Sequence, residues 1–329
     1  MSGSSKTNPE LICPIHNSDI TIDRKNCVCQ CKAGCSYPII GSIPRFVPAN
    51  NYADSFGLQW NEYKKTQLDS FTKTTISKDR LERLLGGSLK ILKGKSILEA
   101  GCGAGRFTEI LLKEGGMVFA ADLSTAVEAN YENCKSFQNY VVCQADINSL
   151  PVRTGTFDIV MCVGVIQHTP NPEKTIEALT SYIAPGGLLV IDHYTYGYPE
   201  TPSRVILRSI LLHMNPQSSM KFNRIMTKTL WPVHHFLGTR RKNPLVRGVR
   251  SLFLFLSPVV DYYDPYPELN DEQLKMWAML DTHDTLTDRF KHLRSGKEIH
   301  DQLLQCGMEN IEITLAGNGI EARALKPLK

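Results

Sequence analysis

The sequence predicts an α/β protein in which helices cover a mostly parallel sheet and a small cysteine-rich unit precedes that sheet. Three observations carry this prediction. Short apolar runs alternate with helical periods from Lys95 to Asp192, a pattern typical of βαβ units. A glycine-rich loop directly follows the first apolar run. Five of the ten cysteines lie within the 23 residues from Cys13 to Cys35.

The composition is that of an ordinary globular protein. The chain has 329 residues, of which 42% are hydrophobic and 21% charged, and its formal net charge is +4. These values exclude a chain that is disordered, collagen-like or a coiled coil as a whole. The net charge is too small to indicate nucleic-acid binding by itself. The longest apolar stretch, Ser251–Val260, is about half of the ~20 residues that a membrane-spanning helix requires.

The first ten residues are polar, with no apolar region behind a basic start. We therefore expect no signal peptide and a cytoplasmic location. In a reducing compartment, clustered cysteines favour a metal site over disulfide bonds.

Residues 1–48 contain two pairs of metal-ligand side chains, one in the motif CPIH and one in a Cys-x-x-x-Cys motif. Three thiolates and one imidazole suit a structural zinc ion with tetrahedral coordination. The predicted ligands are Cys13, His16, Cys31 and Cys35. Cys27 and Cys29 compete with the second pair, and free buried thiols in a small subdomain are the alternative.

The predicted core begins after residues 49–92, which have an amphipathic helical pattern ending at two glycines. The apolar runs of residues 93–195 are SILEA, MVFAAD, YVVCQAD, FDIVMCVG and GLLVID. Glycines in the loop GCGAG after the first run permit positive φ angles and close approach of a ligand, although NAD-binding folds use a similar loop. Glu99, Asp122 and Asp146 lie near the carboxyl ends of three strands, where open α/β sheets bind ligands. An acid at Glu99 would repel a pyrophosphate but suits an amine.

Residues 196–290 interrupt the alternation with helical stretches broken by five prolines. From residue 196 to residue 260 there are ten Lys or Arg and one acid, a local charge of +9. Such an insert can bind an anionic acceptor, or dock at the inner face of a membrane with SLFLFL and Trp231 as its apolar side. A solvated basic face is the alternative.

Residues 291–329 return to the alternation of helical periods and apolar runs. A helix is predicted near 296–306, followed by two strands that the short loop AGNG joins into a hairpin. This hairpin predicts an antiparallel edge on the parallel sheet.

Five blocks in this order, GCGAG, AADLS, CQAD, FDIVMCVGVIQHT and APGG, resemble class I S-adenosylmethionine-dependent methyltransferases of the type 11 kind. The resemblance implies a Rossmann-like sheet of seven strands with the seventh antiparallel, and S-adenosylmethionine as cofactor. It also implies the cofactor-binding residues. These are Glu99, Gly101 and Gly103 at the methionine end, Asp122 and Leu123 at the ribose, Asp146 and Ile147 at the adenine, and Val163 near the sulfonium. Each Asp, taken alone, also fits a helix cap or a turn.

Two flanking segments resemble parts that accompany such domains. The cysteine-rich unit is similar to a Trm112-like zinc domain. The stretch YADSFGLQW and the following TQLDS are similar to an N-terminal lid over the cofactor. Trp60, Tyr63 and Gln67 would then line the pocket, although their spacing also fits the core side of a helix. A weaker similarity suggests that Asp281 and Asp284 close the pocket from the insert.

The predicted catalytic residues are His168, after the fourth strand of the core, and His193, after the fifth. An imidazole there can act as general base toward an oxygen or nitrogen acceptor, although each can equally be structural.

The predicted function is methyl transfer to O or N of a small or carrier-linked biosynthetic intermediate. One alternative is an RNA methyltransferase that uses the zinc unit to hold nucleic acid, and another is a non-catalytic scaffold. The predicted segments are a zinc head (1–48), a helical lid (49–92), a cofactor-binding core (93–195), a basic insert (196–290) and the end of the core (291–329).

Overall fold

The structure is a computed structural model that describes residues 9–48 and 50–328. The polar start, from which we expect no signal peptide, therefore lies largely outside the described residues. No helix in this described part of the chain is long and apolar enough to cross a membrane.

The N-terminal unit is a small antiparallel sheet. Its four strands, paired in chain order, are β1 (Ile20–Asp23), β2 (Val28–Cys31), β3 (Ser36–Ile40) and β4 (Ile43–Pro44). Its own apolar cluster has four buried residues, Cys13, Cys29, Cys31 and Tyr37. With so few buried side chains, three of them cysteines, the unit has little apolar area to stabilise it.

Three helices link this unit to the main sheet: α1 (Asp54–Glu62), α2 (Asp69–Thr72) and α3 (Ile76–Leu85). Helix α3 buries Leu81, Leu84 and Leu85 against the main sheet. It ends at Gly86, whose φ of 76° is the left-handed conformation that commonly closes a helix. The helix thus stops at the glycine pair that the sequence indicates.

The main sheet has seven strands. They are β5 (Ser96–Ala100), β6 (Met117–Asp122), β7 (Tyr140–Gln144), β8 (Phe157–Cys162), β9 (Ile183–Tyr194), β10 (Glu309–Ala316) and β11 (Gly319–Leu325). Their spatial order is β10-β11-β9-β8-β5-β6-β7. Strand β11 is antiparallel to both neighbours, whereas β5 to β9 pair in parallel. The seven strands, the final hairpin and its antiparallel strand are therefore confirmed.

The helices on the two faces of the sheet follow from the alternation of side chains along the strands. On β5, Leu98 packs into one apolar cluster and Ile97 into the other, and on β6 Phe119 and Val118 divide in the same way. The covering helices are α4 (Thr108–Lys113), α5 (Val127–Cys134), α6 (Pro172–Tyr182) and, after the insert, α11 (Gly296–Gln305). A sheet covered on both faces explains why its strands read as continuous apolar runs.

The insert after β9 is helical. It contains α7 (Pro202–Leu211), α8 (Pro216–Thr239), α9 (Pro244–Leu256) and α10 (Asp271–Thr287). In α7, α8 and α9 a proline occupies the first turn and the preceding Thr or Asn side chain caps the helix. Pro232 differs from the expectation, because it lies inside α8 and does not break it.

The N-terminal unit docks on the β7 edge of the main sheet. Arg45 forms a parallel bridge with Gln144, and its guanidinium donates to Gln144 Oε1 at 3.2 Å and pairs with Glu128 at 2.9 Å. Gln144 in turn donates to the carbonyl of Leu123 at 2.9 Å. A chain of contacts therefore runs from the small sheet to the end of β6.

Candidate active site and metal cluster

A cavity of about 650 Å³ opens at the carboxyl edge of the parallel strands. Its volume lies within the range of about 300–1,000 Å³ that is typical of small-molecule sites. Sheet loops form one wall, and α1 with the insert forms the other. The structure brings all eight predicted cofactor-binding residues to this cavity: Glu99, Gly101, Gly103, Asp122, Leu123, Asp146, Ile147 and Val163.

The glycine loop after β5 approaches its neighbour too closely for a side chain at Gly101. Gly101 has a φ of +79°, and a β-carbon there would lie 2.2 Å from Val165. Gly103 lies beneath the indole of Trp60, which a β-carbon would contact at 3.4 Å. The loop therefore presents bare backbone to the cavity, as a ligand bound close to the main chain requires.

Glu99 lies at the methionine end of the predicted cofactor site. Its carboxylate is buried and accepts a hydrogen bond from Thr108 Oγ1 at 2.5 Å. Burial raises the pKa of Glu99 to about 8. A cationic amine in the cavity would favour the ionised carboxylate, which is the charge complement that the sequence predicts for this position.

The two aspartates at the next strand ends are held rigidly. Asp122 accepts hydrogen bonds from the Gly103 amide at 3.0 Å and from the Ser124 amide at 2.8 Å. Asp146 caps a short 3₁₀ turn by accepting from the Asn148 amide at 2.9 Å. Each aspartate therefore has a structural role and also lines the cavity.

The two predicted catalytic histidines occupy different places. His168 lines the cavity, and its Nδ1 donates to the carbonyl of Phe290 at 2.9 Å. Burial lowers the pKa of His168, so the ring is neutral near pH 7 with its lone pair on Nε2. The structure does not bring His193 to the cavity. Its Nδ1 bonds the carbonyl of Tyr194 at 2.8 Å, and burial lowers its pKa to about 4.

Of the three predicted lid residues, two line the cavity and one does not. Trp60 and Gln67 line the cavity. Tyr63 does not, and its hydroxyl contacts Met279 Sδ at 3.8 Å inside the helical layer.

Aromatic residues line the acceptor side of the cavity, and sequence reasoning did not find them. Tyr194 and Tyr198 stack with their centroids 4.1 Å apart, and Tyr262 stacks on Tyr266 at 5.3 Å. Trp277 lies 5.0 Å from Tyr266. The only sequence signal was a density of tyrosines in HYTYGY, at the end of the fifth core strand, and in DYYDPY.

Two carboxyl groups from α10 enter the same wall. Asp281 accepts a hydrogen bond from Tyr262, and Asp284 has no side-chain hydrogen bond to any residue that the structure describes. Burial raises the pKa of each to about 7, and the negative charge of Asp288 adds to the effect on Asp284. Arg106 supplies a cation, donating to Gln67 and lying 5.5 Å from the Trp277 ring.

The four predicted zinc ligands form one cluster in the N-terminal unit. The ligand atoms of Cys13, His16, Cys31 and Cys35 all lie within 4.8 Å of one another. His16 Nδ1 is 3.5 Å from two of the sulfurs and 3.6 Å from the third. The competing cysteines lie outside this group: Cys27 is exposed and Cys29 is buried.

The cluster has the dimensions of a metal site. A tetrahedron with Zn–S of about 2.3 Å and Zn–N of about 2.0–2.1 Å has an S···N edge of roughly 3.5 Å. Burial opposes the Cys13 thiolate, but hydrogen bonds from Tyr37 and the backbone outweigh it and lower the pKa of Cys13 to about 6. The donor set therefore fits zinc in distance.

Comparison with known proteins points to one family of domains. A model described as "Methyltransferase domain" matches residues 98–191. The ubiquinone biosynthesis O-methyltransferase of Coxiella burnetii is 36% identical over 101 residues, which cover 30% of this chain and 43% of that protein. The protein of the same name from Psychrobacter arcticus is 29% identical over 107 residues, covering 31% and 41%. The chain thus spans less than half the length of these two relatives.

Solved structures of low sequence identity also align. A SAM-dependent methyltransferase from Aquifex aeolicus is 16% identical with a TM-score of 0.43, covering 80% of this chain and 97% of that one. Magnesium protoporphyrin IX methyltransferase from Synechocystis with bound SAH is 15% identical with a TM-score of 0.42, covering 84% and 96%.

The matched residues begin within β5 and end within β9, so they enclose the glycine loop and the strand ends that line the cavity. Together with the strand order of the sheet, this match identifies residues 98–191 as a class I methyltransferase domain.

Proposed function

We propose that the protein is an S-adenosylmethionine-dependent methyltransferase that acts on O or N of a small or carrier-linked biosynthetic intermediate. One observation carries the proposal: a single cavity brings the bare glycine loop together with the acids of three strand ends, Glu99, Asp122 and Asp146. The matched relatives, which are named for O-methyl transfer in ubiquinone biosynthesis, support an oxygen acceptor.

In this proposal the residues of the sheet edge hold S-adenosylmethionine, which supplies an electrophilic methyl group when bound. Glu99 would hold the amino group, and the Gly101–Gly103 backbone would hold the methionine end. Asp122, whose carboxylate is already oriented by two amides, would hold the ribose hydroxyls. Asp146 and Ile147 would hold the adenine.

The acceptor lies against the aromatic wall, and His168 is the general base. Its Nδ1 proton is held by Phe290 O, so Nε2 is free to take a proton from an acceptor hydroxyl or amine. Positioning and exclusion of water account for most of the rate in such a displacement. The lid residue Trp60 and the stacked pair Tyr194–Tyr198 line the cavity and would exclude water from a bound acceptor. His193, which does not line the cavity, has no part in this mechanism.

We also propose that the N-terminal unit binds one structural zinc ion through Cys13, His16, Cys31 and Cys35. The four ligands leave no open coordination position, so the ion would stabilise the unit and would not catalyse. The hydrogen bonds from Arg45 to Gln144 and from Gln144 to Leu123 would then couple the stabilised unit to the ribose side of the cofactor site.

The two alternative functions have weaker support. For RNA methylation, the aromatic rings would have to form an open stacking surface, whereas here they are walls of a cavity. For a scaffold without turnover, nothing would require three acids and a glycine loop to remain directed at one cavity.

The first experiment is calorimetric titration of S-adenosylmethionine and S-adenosylhomocysteine into the purified protein, with NAD as control. Micromolar binding of the sulfur compounds alone is the expected result. Incubation with methyl-labelled S-adenosylmethionine and fractionated metabolites, lipids or RNA then identifies the acceptor. No binding of either sulfur compound would overturn the proposal.

A further inference from the structure

Helix α9 buries a charged side chain and leaves most of its large apolar side chains exposed. Arg250 is the one buried residue of this helix, and it forms ion pairs with Asp261 and, at 2.5 Å, with Asp264. Its apolar residues Leu245, Val249, Leu252 and Leu256 recur at i, i+4, i+7 and i+11 and are therefore on one face. This face is turned to solvent, since the four side chains are between 59% and 82% exposed.

Helix α7 contacts α9 and adds to the exposed apolar surface. We name as the α7–α9 face the eight large apolar side chains on these helices that are more than half exposed. They are Val205, Ile206, Ile210, Leu245, Val249, Leu252, Phe255 and Leu256. Soluble proteins rarely leave so many large apolar groups together in water unless the surface binds a protein or a membrane.

The chain segment that carries this face has charges of one sign only. From residue 201 to residue 260 the chain contains no Asp or Glu. Arg240, Lys242 and Arg247 are exposed at and beside the start of α9, and no carboxylate of the described residues forms an ion pair with them. Apolar side chains flanked by unpaired cations are typical of helices that lie in the interface of an anionic membrane.

We propose that the α7–α9 face docks on an anionic phospholipid bilayer, with its apolar side chains inserted and Arg240, Lys242 and Arg247 at the headgroups. A second copy of the chain fits the face less well. A two-fold contact would place the cations of both copies in one interface, and residues 201–260 of neither copy offer a carboxylate to pair with them. The bilayer instead supplies both the apolar medium and the negative charge.

The docked helices also wall the cavity. Arg204, on α7 beside the exposed Val205, lines it, and so does Val260, shortly after α9. Docking would therefore place the acceptor wall next to the membrane. Binding to the bilayer does not depend on methyl transfer, so this proposal and the proposed function can fail separately.

The test is co-sedimentation of the full chain with vesicles of phosphatidylglycerol and phosphatidylcholine, compared with vesicles of phosphatidylcholine alone. We expect binding to the anionic vesicles only, and its loss at high salt, which screens the cations. The double variant Leu252→Glu/Phe255→Glu should bind at least about tenfold more weakly, because two large apolar groups no longer leave water. Lys242→Ala/Arg247→Ala should weaken binding by about fivefold per charge.

The control is Leu304→Glu, which adds one such negative charge at an exposed leucine of α11, outside the α7–α9 face. It should bind the vesicles as the wild type does. The melting temperature and S-adenosylhomocysteine binding of each variant show that the fold is intact. The proposal is overturned if the wild type does not bind anionic vesicles, or if the double variant binds them as tightly as the wild type does. A wild-type dimer that the double variant dissociates, without lipid binding, would instead assign the face to a second copy.

Discussion

Asp122 at the end of β6 accepts a hydrogen bond from the main-chain amide of Gly103, 3.0 Å away in the glycine loop after β5. The same carboxylate accepts from the amide and the hydroxyl of Ser124. One side chain thus ties together two neighbouring strand ends at the floor of the cavity, on the side where the ribose is proposed to bind.

Replacing Asp122 with Ala should weaken S-adenosylmethionine binding at least about tenfold, because hydrogen bonds to a charged group contribute roughly 1.5–3 kcal/mol. Calorimetric titration measures the dissociation constant. Ser124→Ala is the control, since it removes one neighbour's hydroxyl and leaves the carboxylate in the cavity. Wild-type affinity in Asp122→Ala would exclude the ribose assignment.

Gly101→Ala should abolish or strongly weaken cofactor binding. The new methyl group would collide with Val165, which also lines the cavity, and the backbone has a φ of +79°. Gly155→Ala separates the two effects. Gly155 also has a positive φ, 66°, but nothing lies within 4 Å of its added β-carbon. Both variants should lose about 1–2 kcal/mol of stability from the left-handed backbone. Gly101→Ala should lose more because of the collision, and only Gly101→Ala should lose affinity. Equal affinities would contradict close approach of the ligand to this loop.

The purified wild type should contain one zinc ion per chain, the stoichiometry of a single four-ligand site. Cys13→Ser should release the metal and lower the temperature at which the N-terminal unit unfolds. Cys27→Ser should do neither, because Cys27 is exposed and outside the cluster. Metal analysis of the three proteins, with thermal unfolding, decides the matter. A wild type that binds no zinc even after refolding with the metal would end the claim.

His168→Gln should reduce kcat roughly a hundredfold or more with little change in cofactor affinity, because the proposed base is lost. His193→Gln is the matched control, a buried histidine that does not line the cavity. It should change stability more than turnover. The two variants are compared with the acceptor identified by labelled methyl transfer, and similar kcat values for both would remove His168 from the mechanism.

Asp284 should make stability depend on pH in a defined direction. Burial raises its pKa from 3.8 to about 7 in the folded protein. The folded state then holds the proton more tightly, so this group favours folding most below pH 3.8 and loses that contribution as pH rises through about 7. Asp284→Asn, which cannot ionise, should therefore gain stability relative to the wild type as pH rises across this window. Denaturant unfolding at several pH values measures the difference, and a difference independent of pH would contradict the buried, protonated carboxyl.

Much of the cofactor side was predictable because its signals are local. Each strand of the core ends in a short motif that the sequence shows directly. Because parallel strands bring their carboxyl ends to one edge of the sheet, Glu99, Asp122 and Asp146 are expected to lie close together once the strands are recognised. The zinc ligands were predictable for a similar reason, since two short turns each fix a pair of them.

The acceptor wall was not predictable in this way. Tyr262, Tyr266 and Trp277 reach the cavity only because the insert folds back over the sheet, and no spacing in the sequence records that packing. His193 shows the same limit of sequence-based prediction between two adjacent residues. Side chains alternate along β9, so Tyr194 lines the cavity and His193 faces away from it.

The sequence by itself therefore determined the sheet, the glycine loop, the acids at the strand ends and the four clustered side chains of the proposed metal site. The tertiary structure decided which histidine lines the cavity, what forms the acceptor wall, and that α9 turns Arg250 inward and its leucines to solvent. The physical reason is distance along the chain. Backbone conformation and strand ends depend on neighbouring residues, whereas the walls of a cavity depend on contacts between segments far apart in sequence.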